Sequence, residues 1–314
     1  MSRRVTILLA CLAALGCAGV LLAQRYGLRF KRVPAARRIV LQGSAASHRL
    51  IDCNGGWFND GKPTELIIQS VQSTNGWDAP EDITIRNCRI RGGIRVMGMG
   101  RNGQGPLVRE SSRSLGHTER AQAAAPRQIL ISGVEFECDG RIPIYLAPGV
   151  TGVTIENSRF NGWSVSVGIY LDAESAGNII RSNVFDVRAA REIIAVDGSA
   201  KNRIEGNRFE RLSAGGIYLY RNCGEGGTIR HQAPQGNQIV GNSFNTGSLG
   251  WWACGVWLGS RNGHRLYSED DAGYNFGSSV DNRDFANSNR VASNVFLSAT
   301  SRAIRDNGQN NRIE

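Results

Sequence analysis

The sequence lacks the residue patterns that mark zinc sites, helical bundles and nucleic-acid binding. Its seven cysteines include no C-x-x-C pair and no Cys/His cluster with metal-ligand spacing, which excludes the common zinc modules. Apolar residues in its repeated region do not recur at helical spacing, which excludes a helical bundle. Only three lysines occur among 37 positively charged residues, and no nucleic-acid motif accompanies the net charge of +10. We therefore expect no nucleic-acid partner.

Cysteine usage also argues against a disulfide-based fold. Beyond the N-terminal apolar segment the number of cysteines is odd, so they cannot all pair within one chain. We expect these residues to be buried small apolar side chains rather than a disulfide framework. They are Cys53, Cys88, Cys138, Cys223 and Cys254.

What the sequence does contain is a short repeated segment of alternating apolar residues, closed by an Asn or Gly step and a large apolar residue. The central copies close on Phe160, Phe185 and Phe209, which gives a period of about two dozen residues, and insertions lengthen the later steps. The clear copies are VTIENSRF (153–160), NIIRSNVF (178–185), NRIEGNRF (202–209), NQIVGNSF (237–244) and NRVASNVF (289–296), with weaker copies at 83–90 and 129–136.

Each repeat is composed of strands. β-branched residues dominate the copies, and a second short strand follows in every unit. Two or three strands per two dozen residues describe one coil of a parallel β-helix, since a propeller blade has a longer period and sandwiches lack sequence repeats. We predict an all-β protein with a single parallel β-helix. The recurring turn asparagines should stack and hydrogen-bond to one another and to the turn backbone: Asn183, Asn207, Asn242 and Asn294.

These repeats resemble the right-handed parallel β-helix repeats of the pectate-lyase-like superfamily, which includes periplasmic alginate epimerases and many polysaccharide lyases and hydrolases. The resemblance covers roughly residue 83 to the C-terminus, and it implies a right-handed solenoid that acts on a polysaccharide. The Asp-Pro-His triplet of the alginate epimerases is missing, as are the polygalacturonase and pectate-lyase signatures. No catalytic residue is therefore assigned by motif.

The chain is expected to begin with a targeting segment. Residues 5–23 are uncharged and follow Arg3 and Arg4, so residues 1–32 should form a signal peptide or a membrane anchor with a basic flank. This places the protein in the periplasm or elsewhere outside the cytoplasm, and an uncleaved segment would anchor it to the inner membrane.

Residues 33–314 should form the β-helix, with three insertions. The segment 101–127 is polar and rich in Ala, Gly and Ser, so we expect a flexible loop there. Residues 221–236 and 259–288 are further inserted loops, which in solenoids map to one face that is often the binding face.

One outward-facing position in the second strand of successive coils is unusually aromatic. Tyr145, Tyr170, Tyr218 and Trp257 share this position, with Arg95 before them and Arg305 after them. A sugar ring packs well on an aromatic plane, and arginine binds carboxylates with two hydrogen bonds. These six residues, named here the aromatic row, are predicted to bind an anionic polysaccharide. The alternatives are that strands simply favour aromatic residues, and that a GC-rich genome favours arginine codons.

Asp172 and Asp197 follow this strand in adjacent coils and should be stacked neighbours. Two such close carboxylates do not both ionise easily, so either one has a raised pKa or a cation bridges them. The pair suits a glycosidase or a Ca²⁺ site that holds a uronate. The alternative is that β-helix turns are often rich in aspartate.

The densest functional run follows the aromatic row. It supplies Tyr220, Arg221, Glu225 and His231, and the next coil adds Arg261. Proton abstraction next to a uronate carboxylate needs a base and a group that stabilises the enolate. We therefore predict a lyase or C5-epimerase, with His231 or Tyr220 as base or acid and with Arg221 and Arg261 neutralising the carboxylate. The alternatives are a hydrolase that uses the aspartate pair and a non-catalytic polysaccharide-binding or assembly protein.

Overall fold

A computed structural model describes residues 33–222, 224, 226–259, 285–298 and 303–314. In these residues the chain winds as a parallel β-helix, as the repeats predict. Successive coils contribute parallel strands to three sheets, named here I, II and III in the order in which each repeat passes through them. Residues 34–314 belong to one unit.

Sheet I contains the first strand of each repeat, with its Ile and Val side chains alternately buried. Its strands are β2 (Leu50–Asp52), β6 (Glu81–Arg86), β8 (Arg127–Ser132), β11 (Thr151–Glu156), β14 (Ile179–Arg181), β17 (Arg203–Glu205), β20 (Gln238–Val240), β23 (Arg290–Ala292) and β26 (Arg312–Ile313).

Sheet II carries the large apolar residue that closes each repeat. β7 (Arg89–Met97) is long enough to run through both sheet II and sheet III. The other strands of sheet II are β9 (Glu135–Gly140), β12 (Arg159–Ser164), β15 (Val184–Ala189), β18 (Arg208–Phe209), β21 (Ser243–Asn245) and β24 (Val295–Leu297).

Sheet III carries the aromatic row on its outer face. Besides β7 its strands are β1 (Arg37–Gln42), β3 (Thr64–Gln69), β10 (Ile144–Leu146), β13 (Ile169–Leu171), β16 (Ile194–Asp197), β19 (Ile217–Tyr220), β22 (Val256–Leu258) and β25 (Ile304–Asp306). An antiparallel hairpin, β4 (Val71–Ser73) with β5 (Gly76–Asp78), precedes β6. Single 3₁₀ turns occur at Ser44–Ala46, Phe58–Gly61 and Thr246–Ser248.

A column of phenylalanine rings fills the interior behind sheet II. Neighbouring rings are stacked with centroids 4.6–4.9 Å apart, and all but the last are fully buried. Because each coil places the same residue at the same height, the rings form an unbroken stack: Phe136, Phe160, Phe185, Phe209, Phe244 and Phe296.

The predicted asparagine ladder is present at the turn between sheets I and II. Asn207 Nδ2 donates to the Ile180 carbonyl at 2.8 Å and to Asn242 Oδ1 at 3.0 Å. Its own Oδ1 accepts from the backbone N–H of Asn183 at 3.0 Å. These bonds satisfy buried turn groups that have no sheet partner. A second ladder, which the sequence analysis did not identify, precedes sheet I and contains Asn178, Asn202, Asn237, Asn289 and Asn311.

The expectation of buried apolar cysteines rather than disulfides is wrong for two cysteines of the first coils. Cys53 and Cys88 form a disulfide bond across 35 residues. Their coils are neighbours, because β2 pairs with β6, and this proximity was not evident from an odd cysteine count. Cys138 and Cys254 are buried free thiols, as predicted, and Cys223 lies outside the described residues.

The segment 101–127 is not an irregular loop. It contains two short helices, α1 (Pro106–Ser112) and α2 (His117–Ala123), on which Val108 and Ala121 are fully buried. Helices of this length are stabilised by tertiary packing rather than by propensity, which is why composition alone did not indicate them.

The expected N-terminal targeting segment lies within residues 1–32, outside the described part of the chain. Within the described residues no helix is long and apolar enough to cross a membrane.

Candidate functional site

The aromatic row has the register that the repeats predict. Tyr145 pairs with Tyr170, and Tyr218 pairs with Trp257, along sheet III. The Tyr145 and Tyr170 rings are stacked 5.0 Å apart, whereas Tyr218 and Trp257 meet edge to face at 5.5 Å. Ala195 stands between the two pairs.

Arginines lie over both ends of the row. The guanidinium carbon of Arg95 is 4.0 Å from the Tyr145 ring centroid, and that of Arg305 is 5.9 Å from the Trp257 ring. Arg95 also faces Glu65, with 3.5 Å between its Nε and Glu65 Oε1, and burial lowers the pKa of Arg95. Arg305 is exposed.

The row is not uniformly exposed, and this corrects the sequence-based picture of an open aromatic surface. Tyr145 retains only 9% of its accessible surface, while Tyr170, Tyr218 and Trp257 are partly buried. The insertions lie over the N-terminal end of the row, so the more accessible part begins at Tyr170.

Asp172 and Asp197 are stacked neighbours, as predicted, because each directly follows paired residues of β13 and β16. Both are almost completely buried, at 2% and 1% exposure. The Tyr145 hydroxyl donates to Asp172 Oδ2 at 2.6 Å, and that oxygen also accepts from the Gly103 N–H at 3.0 Å. Asp172 is therefore held by the aromatic row on one side and by the first insertion on the other.

Asp197 is held in the same manner by different donors. The Tyr170 hydroxyl donates to its Oδ2 at 2.5 Å. Asn222 donates its backbone N–H to Oδ1 and its side-chain amide to Oδ2, both at 2.7 Å. Two tyrosines of the row thus donate to two buried carboxylates in successive coils.

A buried arginine supplies the positive charge beside the two aspartates. Arg230 is 2% exposed, and its Nε has no hydrogen-bond partner among the described residues. Burial raises the pKa of Asp172, the charge of Arg230 opposes that shift, and the charge of Asp197 adds to it. Burial also raises the pKa of Tyr145 and Tyr170 well above the usual value, so neither phenol ionises readily.

The two insertions cover this cluster together. A Cβ added to Gly103 would lie 2.4 Å from Arg230 Nη1, so the first insertion passes directly over the guanidinium. Arg109 Nη1 donates to the Gly226 carbonyl at 2.8 Å, and the Ile229 N–H donates to Ser112 Oγ at 2.9 Å. Asp172 and Arg230 are therefore buried by contacts between inserted segments rather than by the coils.

Glu174 joins the insertions to the coils. It is 1% exposed and has a left-handed backbone, with φ of 63°. Its carboxylate accepts from the Thr118 hydroxyl at 2.5 Å and from the His231 N–H at 3.0 Å. A buried non-glycine residue in this strained conformation is typical of a position that the surrounding contacts fix.

Tyr220 is fully buried and faces two charged groups. Its hydroxyl donates to Glu192 Oε1 at 2.6 Å, and Arg191 Nη2 donates to the hydroxyl at 2.7 Å. The ring packs with Val167 and Ala195 under the row. Tyr220 is thereby fixed within the second, smaller apolar cluster of the described residues.

His231 and Arg221 belong to the second insertion, and His231 also contacts the first. His231 Nε2 is 2.7 Å from the Ser112 carbonyl oxygen, which requires a proton on Nε2, and the ring is 5.1 Å from the His117 ring. Arg221 is 3% exposed, and its Nη1 donates to the Arg230 carbonyl. Glu225 and Arg261 lie outside the described residues.

No group of three or more His, Cys, Asp or Glu side chains in the described ranges is arranged to hold a metal ion. Asp172 and Asp197, the candidates for Ca²⁺, accept hydrogen bonds from tyrosines and backbone amides instead. The charge beside them is the guanidinium of Arg230.

Part of this cluster was not predicted from the sequence. Arg230, Glu174 and Asn222 did not stand out, since each lies in a turn or insertion without a repeated position. The only usable signal was proximity in sequence, because Glu174 is two residues from Asp172, and Arg230 precedes His231.

Comparison with known proteins places the chain in a family. A family model described as a right-handed beta helix region matches residues 70–269. The protein therefore belongs to the right-handed β-helix family, and no curated protein matches it.

Among solved structures, the chain is similar to tailspike proteins of E. coli bacteriophage HK620 in complex with a pentasaccharide. A single-mutant tailspike is 12% identical with a TM-score of 0.43, covering 89% of this chain and 50% of that chain. A double mutant is 16% identical with a TM-score of 0.40, covering 89% and 48%. The chain thus spans about half the length of these tailspikes.

Proposed function

We propose that the protein is carbohydrate-active and binds an anionic polysaccharide on the outer face of sheet III. The observation that carries this proposal is the register of Tyr170, Tyr218 and Trp257, which present partly exposed rings at one position of the coils. Amphipathic rings in this arrangement offer apolar faces to sugars and polar edges to hydroxyls.

The charge of the ligand follows from the ends of the row and from the whole chain. Arg305 is exposed beside Trp257, and residues 33–314, which exclude the expected targeting segment, contain 31 arginines and lysines against 27 acidic residues. A positive protein attracts polyanions, and arginine suits carboxylates because its donors are arranged as a rigid fork.

Hydrolysis is the reaction that the site chemistry favours. Asp172 and Asp197 are carboxylates in adjacent coils, the residue type and number that glycosidases use, and burial raises the pKa of Asp172 in the direction that a general acid needs. Because both are buried, a polymer reaches them only if the segment around Gly103 and Asn222 moves aside.

Lyase or C5-epimerase chemistry is the second candidate reaction, and His231 is the observation that favours it. His231 Nε2 donates to the Ser112 carbonyl, which orients the ring, and histidine is the side chain that most often serves as a general base. Tyr220 serves this reaction less well, because its hydroxyl is held between Glu192 and Arg191 at full burial.

The binding proposal is tested with the double variant Tyr170→Ala/Tyr218→Ala. We expect affinity for uronate polymers to fall at least about tenfold, because aromatic anchors dominate such contacts. Affinity gel electrophoresis against a panel of anionic and neutral polysaccharides measures it, with Leu115→Ala as an exposed apolar control on the insertion. Unchanged affinity in the double variant contradicts binding at sheet III.

The reaction is tested on the same panel. New reducing ends without ultraviolet absorbance indicate hydrolysis, and Asp172→Asn and Asp197→Asn should abolish them. An absorbing unsaturated product that depends on His231 overturns hydrolysis in favour of a lyase, and binding without any product leaves a non-catalytic binding protein.

We also propose that the protein works outside the cytoplasm. The Cys53–Cys88 disulfide supports this location, because such bonds persist in oxidising compartments. Thiol alkylation of protein taken directly from cells, before and after reduction, tests it. Full alkylation without reduction contradicts the location.

A further inference from the structure

Two consecutive tryptophans stand out on the outer surface, away from the aspartate cluster. Trp251 and Trp252, named here the Trp corner, are 80% and 63% exposed. Their ring centroids are 5.7 Å apart and the planes are perpendicular. Exposed aromatic side chains in direct contact mark binding surfaces, since apolar exposure on this scale is otherwise unfavourable.

The Trp corner belongs to the turn that leads from sheet II into β22. The Ala253 N–H donates to the Gly250 carbonyl at 3.0 Å, which closes the turn around the two indoles. The Gly250 N–H donates to the Ser213 carbonyl of the preceding coil at 2.9 Å. The turn is therefore fixed to the coil stack, although the rings are exposed.

This turn is joined directly to the aromatic row. The Cys254 N–H donates to the Tyr218 hydroxyl at 3.1 Å, and Tyr218 donates to the Ala214 carbonyl at 3.2 Å. Tyr218 thus extends from the outer face of sheet III toward the Trp corner. The turn that carries the Trp corner is thereby hydrogen-bonded to a residue of the aromatic row.

The same edge of the solenoid carries two partly exposed arginines, each paired with an acidic side chain: Arg191 with Glu192 and Arg211 with Asp186. Arg191 occupies the equivalent turn of an earlier coil, with its side chain 39% exposed, and its N–H donates to Ser166 of the coil before. Arg211, two residues before Ser213, is 55% exposed. Each guanidinium has five N–H donors and is partly exposed, so it can bind a sugar carboxylate in addition to its acidic partner.

We propose that the Trp corner is an additional saccharide-binding subsite, which extends the aromatic row around the edge between sheets II and III. The ligand class is the anionic polysaccharide of the proposed function, on which this inference rests. The perpendicular indoles contact two successive sugar rings, or two faces of one ring, while Arg191 and Arg211 contact its carboxylates.

The test compares Trp251→Ala/Trp252→Ala with Trp251→Tyr/Trp252→Tyr. We expect the alanine variant to lose about tenfold in affinity for a long polymer, and the tyrosine variant to keep most of it. The affinity for a short oligosaccharide that occupies only the sheet III site should fall less than the affinity for the polymer. Leu115→Ala is the control for loss of an exposed apolar side chain.

The outcomes separate this inference from the proposed function. If Tyr170→Ala/Tyr218→Ala weakens binding but the Trp variants do not, the Trp corner is not a subsite, although sheet III is. If only the Trp variants weaken binding, the subsite stands and the sheet III proposal fails. If the alanine variant changes the sedimentation coefficient but not polymer affinity, the Trp corner binds a second copy and the inference is wrong.

Discussion

The phenylalanine column behind sheet II and the aromatic row on sheet III are built by the same repeat but differ in regularity. Successive phenylalanine rings lie 4.6–4.9 Å apart and within 15° of parallel. The row has one parallel pair, one perpendicular pair and Ala195 between them.

The difference indicates what each surface is for. An interior column gains from every added ring, so a uniform stack is the stable solution. On the outer face each ring also has its own polar partner: Tyr145 donates to Asp172, Tyr170 to Asp197, and Tyr218 to a backbone carbonyl. The positions of sheet III that depart from the regular repeat are therefore those where a side chain does more than pack against the next coil.

The largest expected effect comes from breaking the interior column. Phe160→Ala removes a fully buried ring stacked on both sides at 4.7 Å, so we expect a loss of about 3–5 kcal/mol in unfolding free energy. The Tyr170→Ala variant, in the same coil, should lose less unfolding free energy, because the Tyr170 ring is partly exposed. Urea denaturation of both variants makes the comparison, and equal losses would contradict the distinction between the two surfaces.

The first insertion should contribute to the pH dependence of stability through His117. Burial lowers the pKa of His117 from 6.5 to about 4. The charge of Glu174 opposes this shift. Three positive groups add to it: His231, Arg230 and Arg120. The folded state then binds fewer protons than the unfolded state, so this stability is complete above pH 6.5 and is lost as the pH falls toward 4.

His117→Gln should therefore flatten the stability profile between those pH values, by at most about 3 kcal/mol. Urea unfolding at several pH values measures the change. His48→Gln is the matched control, since His48 is exposed. An unchanged slope in His117→Gln would show that another group produces the dependence.

The asparagine ladder should contribute less than the phenylalanine column. Asn207→Ala leaves the Ile180 carbonyl and the Asn183 N–H without their partner, so we expect a loss of about 1–3 kcal/mol. Asn75→Ala, at an exposed hairpin turn, is the control. A loss no greater than that of Asn75→Ala would mean that water replaces the ladder bonds.

The smallest effect is expected from Tyr170→Phe. This change keeps the ring and removes only the donor to Asp197, which still accepts from Asn222, so we expect a loss of about 1 kcal/mol. Chemical denaturation measures it against wild type. A loss as large as that of Tyr170→Ala would show that the hydroxyl, rather than the ring, is what the fold requires.

The sequence was sufficient to predict the parts of the site that repeat from coil to coil. It predicted the register of Tyr145, Tyr170 and Tyr218 and the neighbouring positions of Asp172 and Asp197, because both follow from counting residues between coils. It also predicted that the row is exposed, and this is wrong for Tyr145, which is buried. Exposure depends on the insertions, which have no repeated partner from which their position can be read.

Arg230 is a second residue whose environment could not be predicted from the sequence. It lies in an insertion, yet its charge acts on Asp172 and Asp197, and its burial requires Gly103, more than a hundred residues earlier. Nothing in the local sequence indicates that contact. The Cys53–Cys88 disulfide is similar, because the pairing of β2 with β6, and not cysteine spacing, brings the two sulfurs together.

The sequence by itself determined the winding of this protein, its phenylalanine and turn-asparagine columns and the order of side chains on sheet III, because each coil packs only against neighbours that repeat the same pattern. Tertiary structure alone decided which of those side chains are covered, which charges meet Asp172 and Asp197, and which cysteines pair. These depend on contacts between segments distant in sequence, and no repeated position specifies such contacts.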